Sequence, residues 1–381
     1  MDFTLSREQE MLRETVRAFA DEVLKPRAAG FDRSREFPHD NYERCAELGL
    51  CGMMVPEAYG GAGFDGVSYV IGIEEVSRAC ASTGVILSVN NSLFCAPLLR
   101  HGSEAQKQKY LVPHARGERI GAYCLTEPQA GSDAGALRTL ARRKGDVYVL
   151  SGSKVFVTNG VAAHTFVVYA TLDPALRHKG ICAFIVERGF PGLRLGKPEH
   201  KMGITCSGSV EIVLDGCEVP VDNLLGQEGE GFKIAMATLD GGRIGIAAQA
   251  IGIATAALEE SLSYSRNREA FGRPIADFQA IQWKLADMAT EIDAARLLAY
   301  RAAWARDNQD RCSLETSMAK LFASEACMRA AKEGVQIHGG YGYINEYTVE
   351  RLFRDAKITE IYEGTSEVQR LVISKEILKE G

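Results

Sequence analysis

The sequence predicts a multi-domain α+β protein with an N-terminal α-helical domain, a small middle β-barrel or sandwich domain, and a C-terminal four-helix bundle. Three observations predict it. Apolar residues recur at helical spacing near the N-terminus, short β-branched runs separated by turn residues fill the middle, and near-heptad stripes close the chain. At 381 residues the chain exceeds what one simple core fills, so division into domains is expected.

The first domain is placed at 1–120. Ser6-Arg-Glu-Gln9 reads as a capping box, and Leu12, Val16, Phe19, Val23 and Leu24 follow at helical spacing. Helical patterns continue over 41–48, 68–79 and 104–111, with a Pro/Gly loop at 56–63. The middle domain, 121–229, carries β-branched or aromatic runs at 147–150, 154–158, 165–170, 180–187 and 210–214. Within the last run Val210, Ile212 and Leu214 alternate with the other face, which is the strand period. From 230 to 381 helices return. Phe278, Ile281, Leu285, Met288, Ile292 and Ala295 step by three and four, a stripe suited to bundle packing. Helical patterns over 230–266, 277–307, 314–337 and 366–379 make a four-helix bundle the simplest solution.

Composition narrows the function classes. Hydrophobic residues at 46% and charged residues at 25% are ordinary for a soluble globular protein. A net charge of −6 without a Lys/Arg block argues against nucleic acid. The charged first ten residues do not read as a signal peptide. The apolar run at 244–258, broken by Gln249 and rich in Gly and Ala, reads as a buried helix and not a membrane span. Ten cysteines without CxxC point to reduced, mostly buried thiols in a cytoplasmic setting. The seven histidines are scattered, with no HxH or HExxH, so no metal is expected.

Three segments carry candidate chemistry. Residues 124–136, Cys-Leu-Thr-Glu-Pro-Gln-Ala-Gly-Ser-Asp-Ala-Gly-Ala, are dense in Gly, Ser, Thr and backbone donors. That suits either a ligand-holding loop or a tight turn capped by Ser132 or Asp133. Residues 336–343, Gln-Ile-His-Gly-Gly-Tyr-Gly-Tyr, follow a helical pattern, so they form no dinucleotide fingerprint. They are a helix stop or a place of close backbone approach. Residues 358–370 bring Glu360, Glu363 and Glu367 within eight positions around a Gly-Thr-Ser break. Ser366 to Gln369 reads as a capping box opening the last helix, which leaves Glu363 just before a helix N-terminus, on a loop fixed by Gly364. The residues alone leave open whether any of the three carboxylates is more than a surface charge.

Together with Asn-Arg-Glu-Ala-Phe-Gly-Arg-Pro at 267–274, these segments in this order resemble the acyl-CoA dehydrogenase family, most closely its short-chain (butyryl-CoA) branch. The likeness covers nearly the whole chain. It implies an FAD enzyme that oxidises the Cα–Cβ bond of a short-chain acyl-CoA thioester to a trans-2-enoyl-CoA, the α-proton leaving to a base and the β-hydride to flavin N5. It implies electron transfer to an electron-transferring flavoprotein. It also implies a homotetramer, a dimer of dimers, with part of each FAD held by a neighbouring subunit. The setting would be bacterial cytoplasm, or the mitochondrial matrix once a transit peptide is removed. Branched, cyclic or aryl-substituted acyl groups stay open, as does an oxidase or monooxygenase on the same scaffold. A non-enzymatic acyl-CoA or flavin binder is a third class, against which the complete motif around Glu363 argues.

The base role passes by resemblance to Glu363 alone. A free Glu, with a pKa of about 4.3, is a weak base for a carbon acid, so burial beside an acyl chain is required to raise it. Some relatives place the base on an earlier helix, at the position of Gly242, which offers no side chain. For substrate the resemblance points to Ser132, Asp240, Arg243 and Gly364, and for FAD to Tyr123, Leu125, Thr126, Gly131 and Ser132. It adds Phe156, Val157 and Thr158 on a strand against the flavin ring, with Phe156 where many relatives carry Trp. Arg268, Phe271, Gln279, Gln336, Gly339 and Gly340 would hold the pyrophosphate and adenosine end, with Thr365 and Glu367 beside the base. His338 is expected to pack. No cation stands at 84–87, ahead of Ser88-Val-Asn-Asn-Ser92, which argues against a dicarboxylic acyl group.

Overall fold

The computed structural model describes residues 4–309 and 311–379. Helix α1 (Arg7–Phe19) opens on the expected capping box: Ser6 Oγ accepts the Gln9 N–H, and Gln9 Oε1 accepts the Ser6 N–H. It passes through a π-helical turn into α2 (Lys25–Ser34), then α3 (His39–Glu47), α4 (Gly66–Ala79) and α5 (Ala81–Ser88). A second π-helical segment, Val89–Cys95, leads to α6 (Ala96–His101). The helix expected at 104–111 is broken instead. Only α7 (Glu104–Gln106) is α-helical, followed by the π-helical Lys107–Leu111 and α8 (Val112–Ala115). A proline follows each of the three π-helical segments within the first two positions of the next helix. Lacking an N–H and needing room at the preceding turn, proline favours the wider coil there.

The middle strands form one sheet: β1 (Gly121–Cys124), β2 (Leu140–Lys144), β3 (Val147–Val157), β4 (Thr165–Thr171), β5 (Ile181–Glu187), β6 (Leu193–Pro198), β7 (Val210–Pro220) and β8 (Leu224–Leu225). The order is β6-β7-β3-β2-β4-β5-β8, with β1 parallel to β4. The runs at 147–150 and 154–158, expected as two strands, are one. Gly152 carries the chain through a register shift, where a Cβ would sit 2.6 Å from Thr139 Oγ1. Glycine therefore makes a bulge and not a turn.

The C-terminal part is α9 (Gly231–Asn267), a hairpin of β9 (Glu269–Ala270) and β10 (Arg273–Pro274), α10 (Gln279–Asn308), α11 (Ser313–His338), α12 (Thr348–Thr359) and α13 (Ser366–Ile377). α12 is an element the periodicity reading did not single out. α9 packs against α10 and α11 and also against α4, so its apolar run is buried on both sides. Two helical stretches, 81–101 and 231–267, are long and apolar enough to cross a membrane, but both are mostly buried inside the protein. Nine of the ten cysteines are buried, and all ten are free thiols. Among the described residues no three His, Cys, Asp or Glu side chains converge as metal ligands.

Candidate active site

Where the three domains meet, a cavity of about 760 Å³ opens. The π-helical segment and α5 contribute Val85, Val89 and Leu93, the sheet contributes Tyr123 and Phe156, and the turn after β3 contributes Thr158. The 124–136 loop adds Leu125, Thr126, Gly131 and Ser132, and α9 adds Arg243. The segment between α12 and α13 closes the set with Tyr362, Glu363, Gly364 and Thr365.

Glu363 occupies an unusual backbone position. Its φ of 53° is left-handed, and Gly364 follows at 94°. Such a conformation in a non-glycine residue costs on the order of 1–3 kcal/mol and persists only where surroundings impose it. Its N–H has no hydrogen-bond partner among the described residues. The residue is partly accessible from the cavity, yet its Oε2 atom is buried and has no partner among the described residues. Burial pushes the carboxyl up to about 8, opposed by the nearby Lys320 and Arg243 cations. Gly242 makes the space for that carboxyl: a Cβ there would lie 2.0 Å from Glu363 Oε2.

The capping of the following helix differs from expectation. Thr365 is the N-cap, its Oγ1 accepting the Val368 N–H at 3.3 Å, so Ser366 lies one residue inside the helix. Gln369 is not its box partner. Its Nε2 turns back to donate to Gly364 O at 2.9 Å and Glu363 O at 3.2 Å. The left-handed turn explains the change, because it carries both carbonyls within reach of the first helical turn. Lys320, fully buried on α11, donates from Nζ to the same Gly364 O at 2.8 Å. Lys320 was not singled out in the sequence, and Gln369 was read there only as a capping-box partner. The available signal was a Lys within the otherwise small and apolar run Ser317-Met-Ala-Lys-Leu-Phe-Ala323.

Arg243 is buried, and its Nη1 donates to Asp240 Oδ1 at 2.7 Å and Ser317 Oγ at 3.2 Å. Asp240 does not line the cavity; it orients Arg243 and accepts from Ser313 at 2.7 Å. Tyr362 donates its hydroxyl to the buried Gln249, which fixes its ring in the wall. The 124–136 loop is held from beneath by a fully buried ion pair. Lys154 Nζ meets Glu127 Oε1 at 2.7 Å and also donates to Leu125 O at 3.2 Å. Phe156, on the same strand, is left-handed (φ 58°) and 68% exposed, an aromatic face turned to the open cavity. Its neighbour Val157 points the other way, into the core of the sheet. Glu367 is exposed in the first turn of α13, and Glu360 pairs with Lys357 at 2.6 Å.

The remaining expected residues lie elsewhere. Arg268, Gly339 and Gly340 line a second depression, which shares no residue with the first, and Arg268 sits 5.5 Å from the ring centre of Tyr341. Phe271 is 96% exposed at the tip of the β9–β10 hairpin, and Gln279 and Gln336 are exposed on α10 and α11. His338 stacks on Tyr264 with ring centres 4.2 Å apart, and its Nδ1 meets Gly334 O, a packing role. At the cavity mouth, Arg177, His178 and Phe232 are lining residues that sequence reasoning missed. They come from separate segments with no shared motif.

Comparison with known proteins identifies the family. Residues 6–118, 122–217 and 229–378 match the family models for the acyl-CoA dehydrogenase N-terminal, middle and C-terminal domains. A short-chain specific acyl-CoA dehydrogenase of Clostridium acetobutylicum is 51% identical over 379 residues, covering 100% of both chains. The butyryl-CoA dehydrogenase structure from Megasphaera elsdenii superposes with a TM-score of 0.97 at 45% identity, over 99% of this chain and 100% of that one. A chain solved in work on the electron transferring flavoprotein of Acidaminococcus fermentans gives a TM-score of 0.98 at 50% identity over all of both chains. The chain thus belongs to the acyl-CoA dehydrogenases, which are flavin-dependent oxidoreductases.

Proposed function

We propose that this chain oxidises a short, straight acyl-CoA thioester to its trans-2-enoyl-CoA, with Glu363 removing the α-proton. One observation carries the reading: a buried carboxyl oxygen without a partner, its pKa raised to about 8, faces the cavity on a loop held from both sides. A carboxylate desolvated in this way is a far better base than one in water. The free Glu363 N–H suits the thioester carbonyl, whose oxygen gains enolate character as the proton leaves. Arg243 and Lys320 favour the ionised form that must be present before substrate is deprotonated.

The residues present fit a flavin. Phe156 offers a ring face, while Thr126, Ser132 and Thr158 supply polar groups around it, in a loop anchored by the buried Lys154–Glu127 pair. Bound there, FAD supplies the acceptor for the β-hydride. Leu125, Gly131 and Tyr123 complete the wall, and Thr365 and Glu367 stand beside the base. Arg268, Phe271, Gln279, Gln336, Gly339 and Gly340 lie outside this cavity, and their exposure supports contact with the adenosine end of a neighbouring subunit's FAD in a homotetramer. The branched wall of Val85, Val89, Leu93 and Ile358, with Tyr362 fixed by Gln249, supports a compact acyl group. The Acidaminococcus neighbour supports an electron-transferring flavoprotein as acceptor.

The test is anaerobic addition of straight, branched and aryl acyl-CoAs to the purified flavoprotein. Bleaching of the flavin should be fastest with butyryl-CoA. Glu363→Gln should retain FAD and lose activity by roughly 10²–10⁴-fold. Full activity in that variant would remove the base assignment, and rapid reoxidation by air would indicate an oxidase.

A further inference from the structure

Two fully buried polar side chains, Lys320 on α11 and Gln369 on α13, both 0% exposed, converge behind the Glu363–Gly364 turn. A buried lysine is costly unless something specific compensates it. Among the described residues Lys320 Nζ has no carboxylate at salt-bridge distance; its bond is to a backbone carbonyl, Gly364 O. Gln369 converges on that oxygen from the other side and takes Glu363 O as well. The two consecutive carbonyls that define the left-handed turn are thus both held, from two different helices.

Peptide geometry makes the consequence definite. A trans peptide places C=O and the following N–H on opposite sides. Drawing Glu363 O and Gly364 O toward α11 and α13 turns the N–H groups of Gly364 and Thr365 the other way. Released from these bonds, Glu363 would relax from φ 53° toward the right-handed region that residues with a Cβ prefer. Its carboxyl would then leave the space that Gly242 provides.

We propose that Lys320 and Gln369 are positioning residues for the base, holding the Glu363–Gly364 turn in the conformation that presents the carboxyl to substrate. The inference rests on Glu363 being the base. The surroundings also assign a second, separable part to Lys320. Coupled electrostatically to Glu363 are the cations of Lys320 on α11 and Arg243 on α9 and the phenols of Tyr69, Tyr123 and Tyr362 on α4, β1 and the loop itself. Lys320 in turn feels Glu363, Arg243, Glu360 and Glu367. Burial lowers the Lys320 pKa to about 8, and below that pH its charge lowers the pH at which Glu363 ionises; Gln369 has no such charge.

The two residues therefore predict different signatures in the FAD-loaded protein assayed with butyryl-CoA. Lys320→Met should lower kcat by about 10–100-fold, the scale of a misplaced catalytic group, with KM changed less than about twofold. It should also move the acidic limb of the kcat/KM profile to higher pH. Lys320→Arg should restore part of both. Gln369→Leu should lower kcat while leaving the acidic limb in place. Unchanged kcat and an unchanged limb in Lys320→Met, beside an inactive Glu363→Gln, would overturn the proposal and leave the base assignment standing. An active Glu363→Gln would remove both. Should Lys320→Met fail to fold, Gln369→Leu decides alone: normal kcat with only a lowered Tm overturns the positioning role.

Discussion

Two buried lysine–glutamate neighbourhoods lie within this site and do opposite things. In the first, Lys154 and Glu127 are in direct contact at 2.7 Å, with side chains 0% and 2% exposed. Glu127 also accepts from the N–H groups of Arg138 at 2.6 Å and Thr139 at 3.0 Å. Burial alone would raise its pKa, but Lys154 and these donors hold it below the usual carboxylate range. In the second, Lys320 stops at a carbonyl one residue away from Glu363, and Glu363 Oε2 keeps no partner. There burial prevails and the pKa rises to about 8. The same pair of residue types is locked in one place and poised in the other. What differs is whether the lone pairs of the carboxylate are used by the protein or left for a substrate proton.

Breaking the locked pair should have the largest effect. Lys154→Met leaves Glu127 buried and uncompensated, which costs about 3–5 kcal/mol. Denaturant unfolding should report it, with weaker FAD retention, because Lys154 also holds Leu125 O beneath the 124–136 loop. The pH sign follows from Glu127. Its folded pKa is lowered, so its stabilisation is present above its unfolded value near 4.5 and is lost only as pH falls through the folded value. Unfolding midpoints above pH 5 should therefore be insensitive to this group.

Intruding on the poised carboxyl should come next. Gly242→Ala places a Cβ 2.0 Å from Glu363 Oε2 and 2.8 Å from Leu93 Cδ2, so the carboxyl must move. We expect kcat to fall by about 10–100-fold with flavin content unchanged. Wild-type turnover in this variant would mean that the carboxyl has room elsewhere, and the contrast between the two pairs would weaken.

The pH dependence of stability sharpens the comparison by its sign. Glu363 has a raised folded pKa, so its favourable contribution is complete below about 4.5 and is lost as pH rises toward about 8. Glu363→Gln should match the wild-type Tm near pH 4.5 and exceed it increasingly up to pH 8. A gap that stayed flat across that range would contradict the buried, protonated carboxyl. Glu127 and Glu363 thus respond to pH in opposite directions, each according to its partners.

Much of the architecture was legible in the chain. The Ser6–Gln9 box, the α9–α11 patterns and the strand alternation at 210–214 all correspond to observed elements, since each depends on local spacing and capping. Errors came where distant contacts decided. Gly152 reads as a turn but threads a bulge past Thr139, and Ser366 reads as a cap but yields to Thr365. Segment 104–111 reads as one α-helix but widens ahead of Pro113.

The site divides along the same line. By itself the sequence determined that Glu360, Glu363 and Glu367 share one continuous stretch ahead of the last helix, and the family resemblance singled out Glu363 among them. It also determined that position 242 offers no rival side chain. Only the tertiary structure decided that the missing side chain at Gly242 is the space into which Glu363 fits, and that Lys320, 43 positions earlier, holds the next carbonyl. A carboxylate becomes a base by losing its solvent and keeping its lone pairs free, and both conditions are set by residues remote in sequence that packing brings beside it.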